Sequence, residues 1–316
     1  MPTYDEIITR EKADTLIPQP IANEIMKEVP RNSAVLSLAR KRNMGTKTDK
    51  LPVISAMPNA SFGNGDSFVT GTSAAEWKNK VLTAETVSTL IIVPEDLADD
   101  TSIDLFDEIA PMAAEAIGIA LDKAVLFGVG KPDSWPDGLV PQAIAAGNKV
   151  VRGTTPQNKG GVFTDLINLR FLVQNMGYRI NGIAADDMFE QALLSATDTN
   201  GKALVDWNQE QTKLMGKPLN FSGGGVWPGT LDSTEAILGD WTKVVVGIRK
   251  DIQMKILNEA TINDEEGRVV FNLATQRMKG ILITARFGYA LANNATRKRQ
   301  GDAARCPFGV LYSPAA

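Results

Sequence analysis

The chain has 316 residues, 43% of them hydrophobic and 22% charged, with a formal net charge of −4; this is an ordinary globular composition, enough for one large domain or two intimate ones. The acidic balance argues against a protein that coats nucleic acid, although it leaves room for a local basic face. One cysteine, Cys306, cannot staple the chain to itself and points to a cytosolic origin, and the lack of any histidine removes the commonest general base and metal ligand.

The first residues, Met1 to Lys12, are polar and charged and lack the basic-then-apolar layout of a signal peptide. Residues 1–17 read as an extended arm. Pro18 and Pro20 follow, then a short helix over Ile21 to Glu28 that stops before Pro30. Ser33 to Met44 is apolar at Val35, Leu36 and Leu38 but too short to assign to helix or strand. Leu51 to Ser55 reads as a strand. From Met57 to Ala75 the chain is rich in Asn, Gly, Ser, Thr and Ala, with a turn signal at Asn64-Gly65. Trp77 to Val93 then carries Val81, Val87 and the run Thr89-Leu90-Ile91-Ile92-Val93, which favour a strand. The expected element is a long two-stranded hairpin with a polar tip. Such a hairpin cannot bury its own faces and must lie on something else.

Ser102 to Phe127 reads as the longest helix, roughly 39 Å at 1.5 Å per residue. Ser102 or Asp104 caps it, Asp107 and Glu108 suit its N-terminal dipole, and Leu105, Ile109, Met112, Ala116 and Ile119 form the expected apolar stripe. Pro111 should kink it or split off its first turns, and Gly128 and Gly130 end it. Residues 131–161, rich in Pro and Gly, read as connections around short extended pieces. Thr164 to Met176 and Asp187 to Ala196 read as helices, and Ile180 to Ala185 as a central strand. Further strands are expected at Leu219 to Ser222, Ala236 to Leu238, Lys243 to Ile248, Ile252 to Leu257, Val269 to Phe271 and Gly280 to Ala290. The last of these is placed to pair back onto the early segments. The class is α+β.

No residue set points to catalysis, a cofactor or a metal. Asp198-Thr199-Asn200-Gly201 begins like a calcium loop but lacks the later ligands and reads as a turn. Ser222-Gly223-Gly224-Gly225 lacks the Gly-Lys-Ser/Thr ending of a phosphate cradle and reads as a surface loop. The acidic pairs Asp186-Asp187 and Asp264-Glu265-Glu266 read as caps or solvated charge. Arg297-Lys298-Arg299 is a solvated run or, on a functional reading, an inner-surface contact for DNA or for an acidic neighbour. The tryptophans 77, 135, 207, 227 and 241 read as packing or subunit-contact residues.

Several pieces, taken in order, resemble the major capsid proteins of tailed phages, the Hong Kong 97 fold family, over about residues 18–293. Leu51-Pro52-Val53-Ile54-Ser55-Ala56-Met57-Pro58-Asn59-Ala60 looks like the start of that family's hairpin loop. Ile92-Val93-Pro94-Glu95-Asp96-Leu97 is similar to the join between the returning strand and the spine helix, and Ala120 to Gly128 resembles the end of that helix. Leu193-Leu194 with Asp198 to Leu204, and then Leu214-Met215-Gly216-Lys217-Pro218-Leu219, resemble axial-domain segments. Gly239-Asp240-Trp241, Val244 to Gly247 and Ile252 to Ile256 resemble the late sheet, and Phe271 to Phe287 the closing segment.

The resemblance implies an N-terminal arm (1–17), a peripheral domain (18–50, 86–130 and 280–300) with its spine helix at 102–127, an extended hairpin loop (51–85), an axial domain (131–279) and a C-terminal tail (301–316). It implies copies assembled as pentamers and hexamers into an icosahedral shell around double-stranded DNA, held non-specifically, in a virion built in the host cytoplasm. A membrane partner is not expected. The hairpin tip, with Phe62, Asn64, Gly65, Asp66, Phe68 and Thr72, is the expected inter-subunit contact. Many relatives carry a long N-terminal scaffolding segment; about 17 residues precede the first matched piece here, so either scaffolding is a separate protein or the chain is already processed, and the former, alongside a portal, is expected. Some relatives crosslink a hairpin lysine to a neighbour's asparagine. Leu51 to Trp77 holds no lysine, so no covalent mesh is expected. Two rival readings are an encapsulin-type nanocompartment of the same fold, separable by whether the particle holds DNA or protein, and a histidine-free enzyme, for which no nucleophile and base are found.

Overall fold

The structure, a computed structural model, describes residues 33–60, 62, 75–95, 105–156, 159–197, 202, 204, 213–222, 225–228, 233–263, 267–299 and 305–313. The expected arm at 1–17, the helix at 21–28 and the turn at 198–201 lie outside these residues. The fold is α+β. Its elements are α1 (Ala34–Leu38), β1 (Arg40–Asn43), β2 (Thr48–Ala56), β3 (Glu76–Pro94), α2 (Leu105–Asp122), α3 (Leu139–Ala145), β4 (Lys149–Val151), α4 (Gly161–Asn175), β5 (Gly182–Ala185), α5 (Met188–Leu194), β6 (Lys213–Leu214), β7 (Lys217–Phe221), β8 (Thr234–Gly239), β9 (Val244–Leu257), β10 (Thr261–Asn263), β11 (Val269–Asn272), β12 (Met278–Leu291) and β13 (Phe308–Tyr312).

The chain forms two compact units. The described part of one is drawn from 86–117 and 250–286, and that of the other from 30–85, 118–249 and 287–316. In the first, β10 and β11 form an antiparallel ladder with Ile262 opposite Phe271. Lys279 pairs with Glu95 at 3.4 Å, and Glu95 N–H donates to Arg277 O at 2.9 Å.

The second unit contains a six-stranded sheet in the order β4-β13-β8-β5-β7-β6. β5 reads Gly-Ile-Ala-Ala and is buried at every position, as its run of small and apolar residues predicts for an interior strand. Strand alternation sends Ile183, Ala185, Ala236, Leu238 and Leu311 to one face, where Leu166, Leu169 and Val173 of α4 and Phe189 and Leu193 of α5 cover them. Each such buried side chain stabilises by roughly 1.5–3 kcal/mol before entropy is counted. On the other face Trp241 meets Phe308 edge to face at 5.1 Å, and α3 packs on β13. Residues 301–316, read as a tail, therefore contain a strand inside this sheet. Within the range 131–279, β9 joins the other sheet.

That other sheet is five-stranded, in the order β1-β9-β12-β3-β2, so the predicted closing strand does pair back onto an early one. β1 runs parallel to β9, with Arg40 opposite Val245, and β2 runs antiparallel to β3, with Thr48 opposite Thr83 and Ile54 opposite Trp77. β1 and β2 are neighbours in sequence yet form opposite edges of the sheet. Residues 44–47 make the crossing. Met44 is buried against Gly247 and Gly288; a Cβ on Gly247 would stand 2.3 Å from its sulfur, and one on Gly288 would stand 3.2 Å from it. Met44 N–H donates to Ile248 O at 2.9 Å, and Ala84 N–H donates to Lys47 O at 2.8 Å.

Helix α2 runs through Pro111 without a break, so of the two expected effects of that proline, a kink or a split, the split does not occur. Pro111 lies on the exposed side, where solvent can satisfy the carbonyl that the ring leaves unbonded. Of the expected stripe, Ile109 is buried and Ile119 half-buried, but two positions differ. Met112 is 65% exposed and Ala116 is exposed, whereas Ala113, Ala114, Ile117 and Leu121 are buried. The small alanines allow close approach, and a reading weighted by hydrophobic bulk favoured Met112 over them. After Asp122 the helix widens into one π turn, Lys123–Phe127, and Gly128 ends it with φ at +75°.

Candidate assembly surface

The predicted hairpin is present as the β2–β3 ladder, which pairs from Thr48–Thr83 to Ala56–Glu76. β-Branched residues dominate β3 (Val81, Thr83, Thr86, Val87, Thr89, Ile91, Ile92, Val93), which accounts for its 19-residue length. Alternation gives the hairpin root two faces. Leu51, Val53 and Leu82 point to the core and are buried with Met44, Ala84, Val245 and Ala290. Trp77 and Val81 share the opposite face with Ile54 and Lys50 and are 64% and 54% exposed. Trp77, opposite Ile54, and Val81 further along the same face are apolar surface that the subunit does not cover. Of the other tryptophans, Trp135, Trp227 and Trp241 are buried, as the packing reading expected, and Trp207 lies outside the described residues.

Of the tip residues, Phe62 is described and fully exposed. Asn64, Gly65, Asp66, Phe68 and Thr72 lie outside the described residues. The basic run is placed next to the hairpin root. Arg297 donates from one guanidinium nitrogen to Pro58 O and, at 3.2 Å, to Asn59 Oδ1. Lys298 Nζ donates to Gln174 O at 3.0 Å. Arg299 N–H donates to Thr296 Oγ1 at 3.0 Å. Two of the three cationic head groups are thus spent on main-chain carbonyls of the same chain. Lys78 and Lys80 of β3 line an open groove of about 340 Å³ with Val53, Gln142, Asn293 and Arg305.

Sequence reasoning missed two buried carboxyl groups, Asp122 and Asp165. Asp122, the last residue of α2, is fully buried. Its Oδ1 accepts from Ser33 Oγ at 2.6 Å and Val35 N–H at 3.2 Å, and its Oδ2 accepts from Ala34 N–H at 2.8 Å. Ser33 Oγ in turn accepts from Leu36 N–H at 3.0 Å. One carboxylate therefore caps the N-terminus of α1, where backbone N–H groups lack helical partners. Burial is the larger influence and pushes its pKa up to about 6 despite the three donors. Nothing local marks Asp122 in the sequence, since its partners lie almost ninety positions earlier.

Among the described residues no group of three or more acidic or cysteine side chains is placed to hold a metal ion, and no helix is long and apolar enough to cross a membrane. The Cys306 thiol is buried and pushed up to about 12 by loss of solvent, which leaves it a poor nucleophile. Asp186 accepts from Met188 N–H at 3.5 Å at the start of α5, a helix-start role of the kind expected of it.

Comparison with known proteins gives one answer. The model of the phage capsid family matches residues 13–298. The major capsid protein of Staphylococcus phage 80alpha is 25% identical over 294 residues, 92% of this chain and 86% of that protein. A solved structure from Mycobacterium phage Bobi superposes with a TM-score of 0.76 at 31% identity, covering 98% of this chain and 100% of that one. Another, from Microbacterium phage Oxtober96, gives a TM-score of 0.76 at 29% identity, covering 89% and 91%.

Proposed function

The chain belongs to the phage capsid family, a major capsid protein of the Hong Kong 97-like fold and a structural protein rather than an enzyme, and we propose that its copies assemble as pentamers and hexamers into an icosahedral shell around double-stranded DNA. The observation that carries this beyond the family match is the uncovered apolar face of the hairpin root at Trp77 and Val81. A two-stranded ribbon with an apolar side toward solvent is marginal alone and gains stability by lying on a neighbouring copy. Many such modest contacts, repeated by symmetry, hold a shell without one strong interface. In this reading the hairpin tip from Phe62 to Thr72 is part of the inter-subunit contact, the peripheral domain holds α2, and the axial domain holds the six-stranded sheet with β13. A separate scaffolding protein and a portal complete the assembly in the host cytoplasm.

Deleting Phe62 to Thr72 tests the role of the hairpin. The expected product is a folded subunit, with an unchanged far-ultraviolet circular dichroism spectrum, that forms no shells under electron microscopy. Normal particles from this variant would sink the reading. The shell is also expected to be held without covalent links. The lysines nearest the tip, Lys78 and Lys80, sit on β3 beside the groove against Gln142 and Asn293. Assembled particles boiled in detergent should run as a single monomer band; a ladder of higher bands would contradict this.

A further inference from the structure

The segment 293–299 ties the hairpin root to the C-terminus of α4. At one end its grip is on the helix. Thr296 Oγ1 donates to Met176 O at 2.6 Å, and Lys298 Nζ donates to Gln174 O at 3.0 Å. These carbonyls belong to the last turn and the cap, where helical partners run out and where a cation also suits the dipole. Thr296 lies so close over Gly177 that a Cβ there would stand 2.8 Å from it. Tyr178 adds a hydroxyl that donates to Asn293 Oδ1 at 2.6 Å and lies 2.7 Å from Asn294 O.

At the other end the same segment grips the hairpin. Ala295 N–H donates to Ile54 O at 2.8 Å, on the outer edge of β2. Two residues further on, Arg297 reaches Pro58 O and Asn59 Oδ1. The β2–β3 ladder has its last pair at Ala56 and Glu76, so Pro58 and Asn59 lie past the point where pairing fixes the strand. A guanidinium that holds oxygens of two successive residues constrains direction as well as distance.

We propose that Arg297 is a positioning residue: clamped to α4 through Thr296 and Lys298, it sets the direction in which the hairpin leaves the subunit. A run of three cations that invites a nucleic-acid reading thus has a mechanical role in the protein itself. The inference rests on the hairpin's role in assembly proposed above.

The test uses the full chain with Arg297→Ala and Arg297→Lys, with hydrogen exchange of the Met57, Asn59 and Ala60 amides in the unassembled subunit as the primary readout. Arg297→Ala should speed exchange at these amides at least tenfold with the urea midpoint unchanged, and slow shell formation at least tenfold by light scattering. Arg297→Lys, which can still donate to Pro58 O, should restore most of both. Should the alanine variant fail to fold, Arg297→Gln, which keeps part of the stem but cannot span the distance, takes its place. Unchanged exchange at residues 57–60 would overturn the proposal, and so would normal assembly by a variant whose exchange has risen. The two ideas fail separately: shells from the hairpin deletion would remove the assembly role and leave the exchange result standing.

Discussion

Asp122→Ala should destabilise the subunit by about 4 kcal/mol, a large share of an ordinary native margin of about 5–15 kcal/mol. The carboxylate is the shared acceptor for the Ser33 hydroxyl and the Ala34 and Val35 amides. Removing it leaves three buried donors, each costing roughly 1–3 kcal/mol when unsatisfied, partly offset by water entering the space and by the end of the cost of burying a charge. The loss should concentrate at α1, so that exchange of the Leu36 and Ser37 amides rises before that of β5. Urea denaturation of the purified subunit measures the total. A loss below 1 kcal/mol would mean that α1 does not depend on this cap.

The same residue sets a pH dependence. Its pKa is raised from 3.8 to about 6 by burial, so the folded state binds the proton more tightly than the unfolded chain does. The contribution is therefore fully present below about pH 4 and is lost as pH rises through about 6, with a span of roughly 2–3 kcal/mol. Asp122→Asn lacks this titration. Its stability deficit relative to the native chain should shrink between pH 4 and pH 7, as followed by urea midpoints. A deficit that grows over this interval would show that the carboxylate is ionised throughout.

Gly138→Ala should cost about 3 kcal/mol or more, for a reason unrelated to backbone conformation. Gly138 has φ −60° and ψ 162°, which any residue can adopt. A Cβ on it would stand 2.5 Å from Gly128 N, 2.7 Å from Phe127 C and 2.9 Å from Leu126 O. All three are main-chain atoms at the π turn that closes α2, so no side chain can swing aside. The loop 128–138 would have to lift. It carries Trp135, whose indole N–H donates to Thr83 O at 2.9 Å and whose ring meets Tyr289 edge to face at 5.9 Å. The expected readouts are a lower urea midpoint and a red-shifted tryptophan emission. Unchanged values for both would show that the turn relaxes freely.

Elements with a strong period were legible in the sequence. β3 announced itself through β-branched residues, α2 through its three- and four-residue spacing, and α4 through the apolar residues Leu166, Ile167, Leu169, Phe171, Leu172 and Val173. The failures have physical causes. Arg249-Lys250-Asp251 split β9 into two expected strands because charge in mid-strand reads as a break, whereas the ladder continues through it. α3 was lost among prolines, although Pro141 sits in its first turn, where no amide is needed. β13 is a five-residue apolar run, Phe-Gly-Val-Leu-Tyr, of the length expected for a buried strand, inside the range read as a tail. At the candidate surface the hairpin root was legible from its flanks. The grip of Arg297 was not, because its oxygens lie 239 and 238 positions earlier. Three cations in a row have no period and name no partner.

The order in which the strands are made differs from the order in which they pair. β13 lies between β4 and β8, and β9 and β12 separate β1 from β3 and β2. Neither sheet can close while the chain is still short of its interior strands, and the six-stranded one waits for residue 312. Folding is therefore dominated by contacts between distant parts of the sequence and is slow for a chain of this size. A nascent chain on the ribosome has hairpin strands but no finished sheet behind them. A chain cut short of β13 leaves β4 without its partner and β8 with an open edge.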